Sequence, residues 1–84
     1  YAVESNKEHG EGRSDIVVYD SVNGQVAVFE AKTSKTMDVM SRDCEDAIRQ
    51  IDDRMYAKTL EDRYDQVSCF GIAFYKKRCL IQKK

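Results

Sequence analysis

The hydrophobic period changes twice along this chain, and the two changes limit its folds more than any other feature. Residues 15–19 (DIVVY) are β-branched and aromatic, which predicts a strand. Asn23-Gly24 follows as a hairpin signal, and residues 26–32 (VAVFEAK) predict a second strand. From about 39 to 62 the period becomes helical. Met40, Cys44, Ala47, Ile48, Ile51 and Met55 then form one apolar stripe. Thr36, Asp38 and Ser41 are candidate caps. Residues 45–54 alternate acidic and basic groups on the remaining faces, which predicts a solvated surface. Period two returns at 66–75 (QVSCFGIAFY), and 78–82 (RCLIQ) predicts a further strand joined by a tight hairpin at Lys76-Lys77. Residues 5–14 are polar with Gly10 and Gly12, hence a loop, with room for a short strand at 1–5. The order ββαββ implies an α/β fold: a mixed, twisted β-sheet with one main helix across it. Gly71 inside a strand predicts a bulge or a close approach of that helix.

Composition narrows the class. With 84 residues, the chain is one small domain with a thin core. Charged residues at 35% and hydrophobic residues at 42% are globular rather than disordered. The apolar runs are too short to cross a membrane, and no signal-peptide pattern opens the chain. Lys and Arg number 14 against 15 Asp and Glu, a net charge of −1, which argues against a generic polyanion binder. It leaves room for a metal-assisted enzyme whose carboxylates offset basic contacts locally. Cys44, Cys69 and Cys79 are odd in number and lack C-x-x-C spacing, so neither a disulfide framework nor a zinc site follows. A reducing cytoplasm and a role as small buried hydrophobes are expected of them. The chain opens on Tyr1 rather than Met, and we expect residues 1–84 to be part of a longer protein.

The first hairpin gathers chemistry. If Asn23-Gly24 is a two-residue turn, Val17 lies opposite Glu30 and Asp15 opposite Lys32. A slip of two residues would keep the same faces. Asp15, Glu30 and Lys32 thus share one face near the open end of the hairpin. Two neighbouring carboxylates repel unless a cation lies between them. Hard oxygen donors suit Mg²⁺ or Mn²⁺. Lys32 could stabilise a developing negative charge or orient a water. This is equipment for metal-assisted phosphodiester hydrolysis. The triplet alone also reads as a solvated cross-strand pair, with Asp15 as a turn residue.

The ordered set of segments resembles the PD-(D/E)XK (restriction-endonuclease-like) nuclease superfamily. Within it, the likeness is to uncharacterised bacterial nuclease-like domains found C-terminal to an AAA-ATPase-like domain. The segments are Ser5-Asn6-Lys7-Glu8 with Gly10, Gly12-Arg13-Ser14-Asp15, Phe29-Glu30-Ala31-Lys32, Ala47-Ile48-Arg49-Gln50-Ile51 with Tyr56, and Phe70-Gly71-Ile72-Ala73-Phe74. The resemblance implies a mixed sheet flanked by helices in the order αβββαβ. It implies that Asp15 and Glu30 are metal ligands, that the carbonyl of Ala31 adds a third, and that Lys32 is the catalytic lysine. Gln50 and Tyr56 correspond to a Q-x-x-x-Y-like helix element; the spacing here is Q-x(5)-Y, a departure. Ser14 replaces the proline of the motif, and the chain contains no proline.

The superfamily's first helix has no counterpart here. Glu8 or Glu11 could supply the acid that helix often carries, and Arg13 could contact a phosphate or hold Asp15. A sheet lacking that helix would expose an apolar face, so a homodimer is expected. The implied partners are nucleic acid, DNA first, and an attached or associated ATPase-like domain. The alternative is a catalytically inactive module with the same fold. His9 reads as a surface loop residue. Lys76, Lys77, Arg78, Lys83 and Lys84 read as a charged hairpin tip and tail, or as contacts to a nucleic-acid backbone.

Overall fold

The computed structural model describes residues 2–8, 13–53 and 60–84, with the backbone alone at 5–8, 13–15 and 53. Strands β1 (Ala2–Glu8), β2 (Arg13–Asp20) and β3 (Gln25–Thr33) come first. A 3₁₀ turn at Met37–Val39 leads into helix α1 (Met40–Asp53). Strands β4 (Gln66–Tyr75) and β5 (Arg78–Lys83) complete one five-stranded sheet, ordered β1-β2-β3-β4-β5. Every neighbouring pair is antiparallel except β3 and β4, which run parallel. A parallel pair needs a long crossover, and α1 lies in it. The mixed sheet with one helix is the expected α/β fold.

The strands are longer than the sequence predicts. Residues 5–8, expected in a loop, continue β1, where Asn6 pairs with Asp15 and Glu8 with Arg13. β1 lies at the sheet edge, where polar residues are tolerated and discourage pairing with another chain.

The first turn is also longer than expected. Asp20 pairs with Gln25, so Ser21–Gly24 form a four-residue turn rather than a two-residue one. The Asp20 carboxylate builds it, accepting from the Asn23 amide at 3.3 Å and from Asn23 Nδ2 at 2.7 Å. Those bonds hold the Asp20 carboxyl below its ordinary range. Gly24 takes a positive φ of 67°. The register therefore shifts by two. Val17 faces Val28, Asp15 faces Glu30, and Arg13 faces Lys32. The faces survive the shift, because side chains alternate with period two. The second hairpin is tight as predicted, with Tyr75 paired to Arg78 around Lys76-Lys77.

The helix stripe is the core seam. Met40, Cys44, Ala47 and Ile51 are buried, and on the sheet Val17, Val26, Val28, Cys69 and Ala73 are buried with them. Gly71 marks a close approach rather than a bulge, since β4 pairs without interruption. A Cβ there would come within 2.2 Å of the Cys44 carbonyl oxygen. Thr36 precedes the 3₁₀ turn in extended conformation, yet makes no side-chain capping bond. Its side chain hydrogen-bonds Asp38 instead and holds that carboxyl low.

Cys44 and Cys69 are buried as expected, and burial pushes both thiols up. The Cys44 thiol donates to the Leu80 carbonyl at 3.2 Å. Cys79 corrects the expectation: it is exposed, on an edge strand. The second face of the sheet carries Phe29 stacked on Phe70 at 4.9 Å. Phe74 is 43% exposed and Ile81 56% exposed. No described helix is long and apolar enough to cross a membrane.

Candidate active site

β3 is paired on both sides, by β2 and β4, so its side chains start from a fixed backbone. One row crosses the whole sheet at its middle: Asn6, Asp15, Glu30, Gly71 and Gln82 are successive partners. Direct partners in an antiparallel pair lie on one face, with Cβ atoms about 4.5–5.5 Å apart. Asp15 and Glu30 are such a pair. The structure thus brings the two predicted acids into direct register, closer than the expected alignment.

Glu30 shares the face of Val26 and Val28 and is 1% exposed. A carboxylate so far from water is costly unless hydrogen bonds or a cation compensate it. Glu30 is not without a partner, although its Oε1 atom accepts no hydrogen bond. The two acid positions face each other in register, and carboxylates offer only oxygen donors, the chemistry that suits a hard divalent cation. Among the described residues, no three His, Cys, Asp or Glu form a metal-holding group. The Asp15 side chain lies outside those residues.

Lys32 follows on the same face, at the C-terminal end of β3. Its Nζ lies 3.4 Å from Asp43 Oδ1 and 3.7 Å from Asp46 Oδ2 on α1. Asp43 is itself fixed. Its Oδ2 accepts the Ser34 hydroxyl at 2.6 Å in a buried bond, while the Ser34 amide donates to the Phe74 carbonyl at 2.7 Å. Asp46 also pairs with Arg49. Lys32 is therefore positioned by the helix as well as by its strand.

Sequence pattern alone does not reveal Ser34, Asp43 and Asp46. Asp46 sits in the alternating stretch expected to be solvated, yet it is half-buried and turned to Lys32. The signal that could have found the helix residues is spacing: positions 43, 46 and 50 fall on one side of a helix. That side includes the half-buried Gln50, which makes contacts of its own. Ala31 is buried and pairs with Ser14 and Ile72. Arg13 and Glu8 are strand partners beside the site, with Arg13 opposite Lys32. Their side chains, and His9, Glu11 and Tyr56 altogether, lie outside the described residues.

A family model described as the PD-(D/E)XK nuclease superfamily matches residues 1–84. No curated protein and no solved structure matches the chain. The match spans every element that builds the site: the β2–β3 acid pair, Lys32 two residues further on, and the helix that holds it. On sequence and on fold together, this chain belongs to the PD-(D/E)XK nuclease superfamily.

Proposed function

We propose that the chain is the catalytic segment of a metal-dependent nuclease that hydrolyses phosphodiester bonds, with DNA as the polymer. The observation that carries this reading is the direct pairing of Asp15 with Glu30, with Lys32 next on the same face. Family membership supports it.

In this reading Asp15 and Glu30 hold Mg²⁺, or Mn²⁺ in its place, and the Ala31 carbonyl is a third oxygen donor. The cation supplies Lewis-acid polarisation of the scissile phosphate. Lys32 brings positive charge to the non-bridging oxygens, where negative charge grows during attack. Asp43 and Asp46 hold its ammonium, so little reorganisation is needed at the moment of reaction. The helix over Gly71 excludes water from Glu30 and so strengthens the fields acting there. Gln50, on the same side of α1 as Asp43 and Asp46, orients the polymer or a water by hydrogen bonding.

Hydrolysis of a labelled oligonucleotide with Mg²⁺ tests the reading. Asp15→Ala and Lys32→Ala should each lower the rate about 100-fold or more. Equal rates in wild type and variants, or no hydrolysis by any of them, would overturn it and favour the inactive module.

A further inference from the structure

Beside the proposed acid pair lies a second feature. A cleft opens between the C-terminal end of β3 and the start of α1, lined by Lys32, Thr33, Lys35, Thr36, Arg42 and Asp43. In α/β sheets, ligands collect at the carboxyl ends of parallel strands, where loops and helix starts supply polar groups. Here that end carries three cations and two hydroxyls around one concavity.

The charges do not cancel within it. Asp43 faces Lys32 and Ser34, so its charge is already matched. Lys35 and Arg42 are exposed on the cleft wall; of the acids one helical turn from Arg42, namely Asp38, Glu45 and Asp46, none lines the cleft, and Asp46 already faces Lys32 and Arg49. The whole chain carries a net charge of −1, so this concentration does not reflect a general basic excess.

We infer that this cleft binds the phosphate backbone of the nucleic acid next to the scissile bond. Lys35 and Arg42 carry the charge contacts, with the Thr33 hydroxyl beside them. The inference rests on the nuclease reading for its polymer but concerns a different set of residues. Lys32 joins the two regions: it lines the cleft and shares a face with Glu30. A strand lying in the cleft would therefore lead its next phosphate toward the acid pair.

Phosphate contacts reveal themselves through salt. Each neutralised phosphate changes the slope of log affinity against log salt by about 0.9 for duplex and about 0.7 for single strands. The test is fluorescence anisotropy of a labelled oligonucleotide with the full chain in EDTA, across a range of KCl. Without divalent cations no turnover interferes with the binding signal. A Lys35→Ala/Arg42→Ala variant should bind about tenfold more weakly, with a slope shallower by about one to two. Lys83→Ala removes a cation on the far face, over the Phe70 ring, and should leave binding unchanged. Affinity and slope unchanged in the double variant would overturn the cleft. So would an equal loss in Lys83→Ala, or an absence of binding by wild type. If the double variant loses binding while Asp15→Ala hydrolyses at the wild-type rate, the cleft stands and the catalytic reading falls. If the double variant binds like wild type while Asp15→Ala is inactive, the catalytic reading stands and the cleft falls.

Discussion

Asp15 and Glu30 are Cα partners on β2 and β3, two register positions from the Val17–Val28 pair in the core and on the same face. The acids therefore lie at the border between packed hydrophobic side chains and the open end of the hairpin. A cation that binds only this folded arrangement must raise the melting temperature. Titration with Mg²⁺ or Mn²⁺ should shift the thermal midpoint of the wild type upward. In an Asp15→Asn/Glu30→Gln variant that shift should vanish. A shift that persists in the variant would place the cation elsewhere.

Lys32 depends on Asp43 for its position. Asp43→Asn keeps the shape and an acceptor for Ser34, but removes the charge that faces the ammonium. Its kcat should fall by about tenfold with KM little changed, since positioning errors act on the transition state. Asp43→Glu should recover part of the rate. A loss confined to KM would show that Asp43 acts through substrate binding instead.

Gly71 has no room for a side chain. A Cβ would meet the Cys44 backbone oxygen at 2.2 Å, and a backbone atom cannot turn aside as a side chain can. Gly71→Ala should destabilise the fold by about 1–3 kcal/mol, the usual cost of overpacking. Urea denaturation measures it. Because Gly71 is the β4 partner of Glu30, the same substitution should also disturb the site.

The three thiols should separate cleanly. Burial pushes Cys44 and Cys69 above the ordinary thiol value of 9.0, while Cys79 is exposed. A thiol-reactive dye at pH 8 should label Cys79 rapidly and the other two only as the protein unfolds. The buried pair contributes its full stability below the unfolded value. That contribution is lost as the pH climbs from there through the higher folded values. Denaturation midpoints should accordingly fall above about pH 9.

The sheet face away from α1 should bind a hydrophobic dye. Phe74 and Ile81 are exposed apolar neighbours on β4 and β5 there, with Val3 exposed on the same face at β1. A Phe74→Lys/Ile81→Lys variant should show lower fluorescence of bound anilinonaphthalene sulfonate with an unchanged circular dichroism spectrum. Equal fluorescence would locate the dye site on another surface.

Local pattern carried most of the architecture. Alternation placed β4 at Gln66–Tyr75, residue for residue, and the apolar stripe marked the buried seam of α1. The Asn23-Gly24 signal located the first turn but not its length. Asp20 recruits Asn23 and lengthens the loop, and such a side-chain bond competes with the two-residue turn without leaving a periodic trace. The shared face of Glu30 and Lys32 followed from parity, which survives a two-residue slip. The helix acids did not follow. Asp43 and Asp46 gain their meaning from Lys32, eleven and fourteen positions earlier in sequence, through the packing of α1 on β3. A surface-like charge pattern conceals such a tertiary ion pair.

The strand order along the sheet equals the strand order along the chain. The sheet can therefore be extended from one edge to the other in the direction of synthesis. The pairing of Asp15 with Glu30 becomes available once β3 has emerged, at Thr33. The helix, in contrast, has no complete bed until β4 is made, through Tyr75. Between those points α1 lacks half of its bed, so the burial of Glu30 beneath the helix is completed only by the later strand.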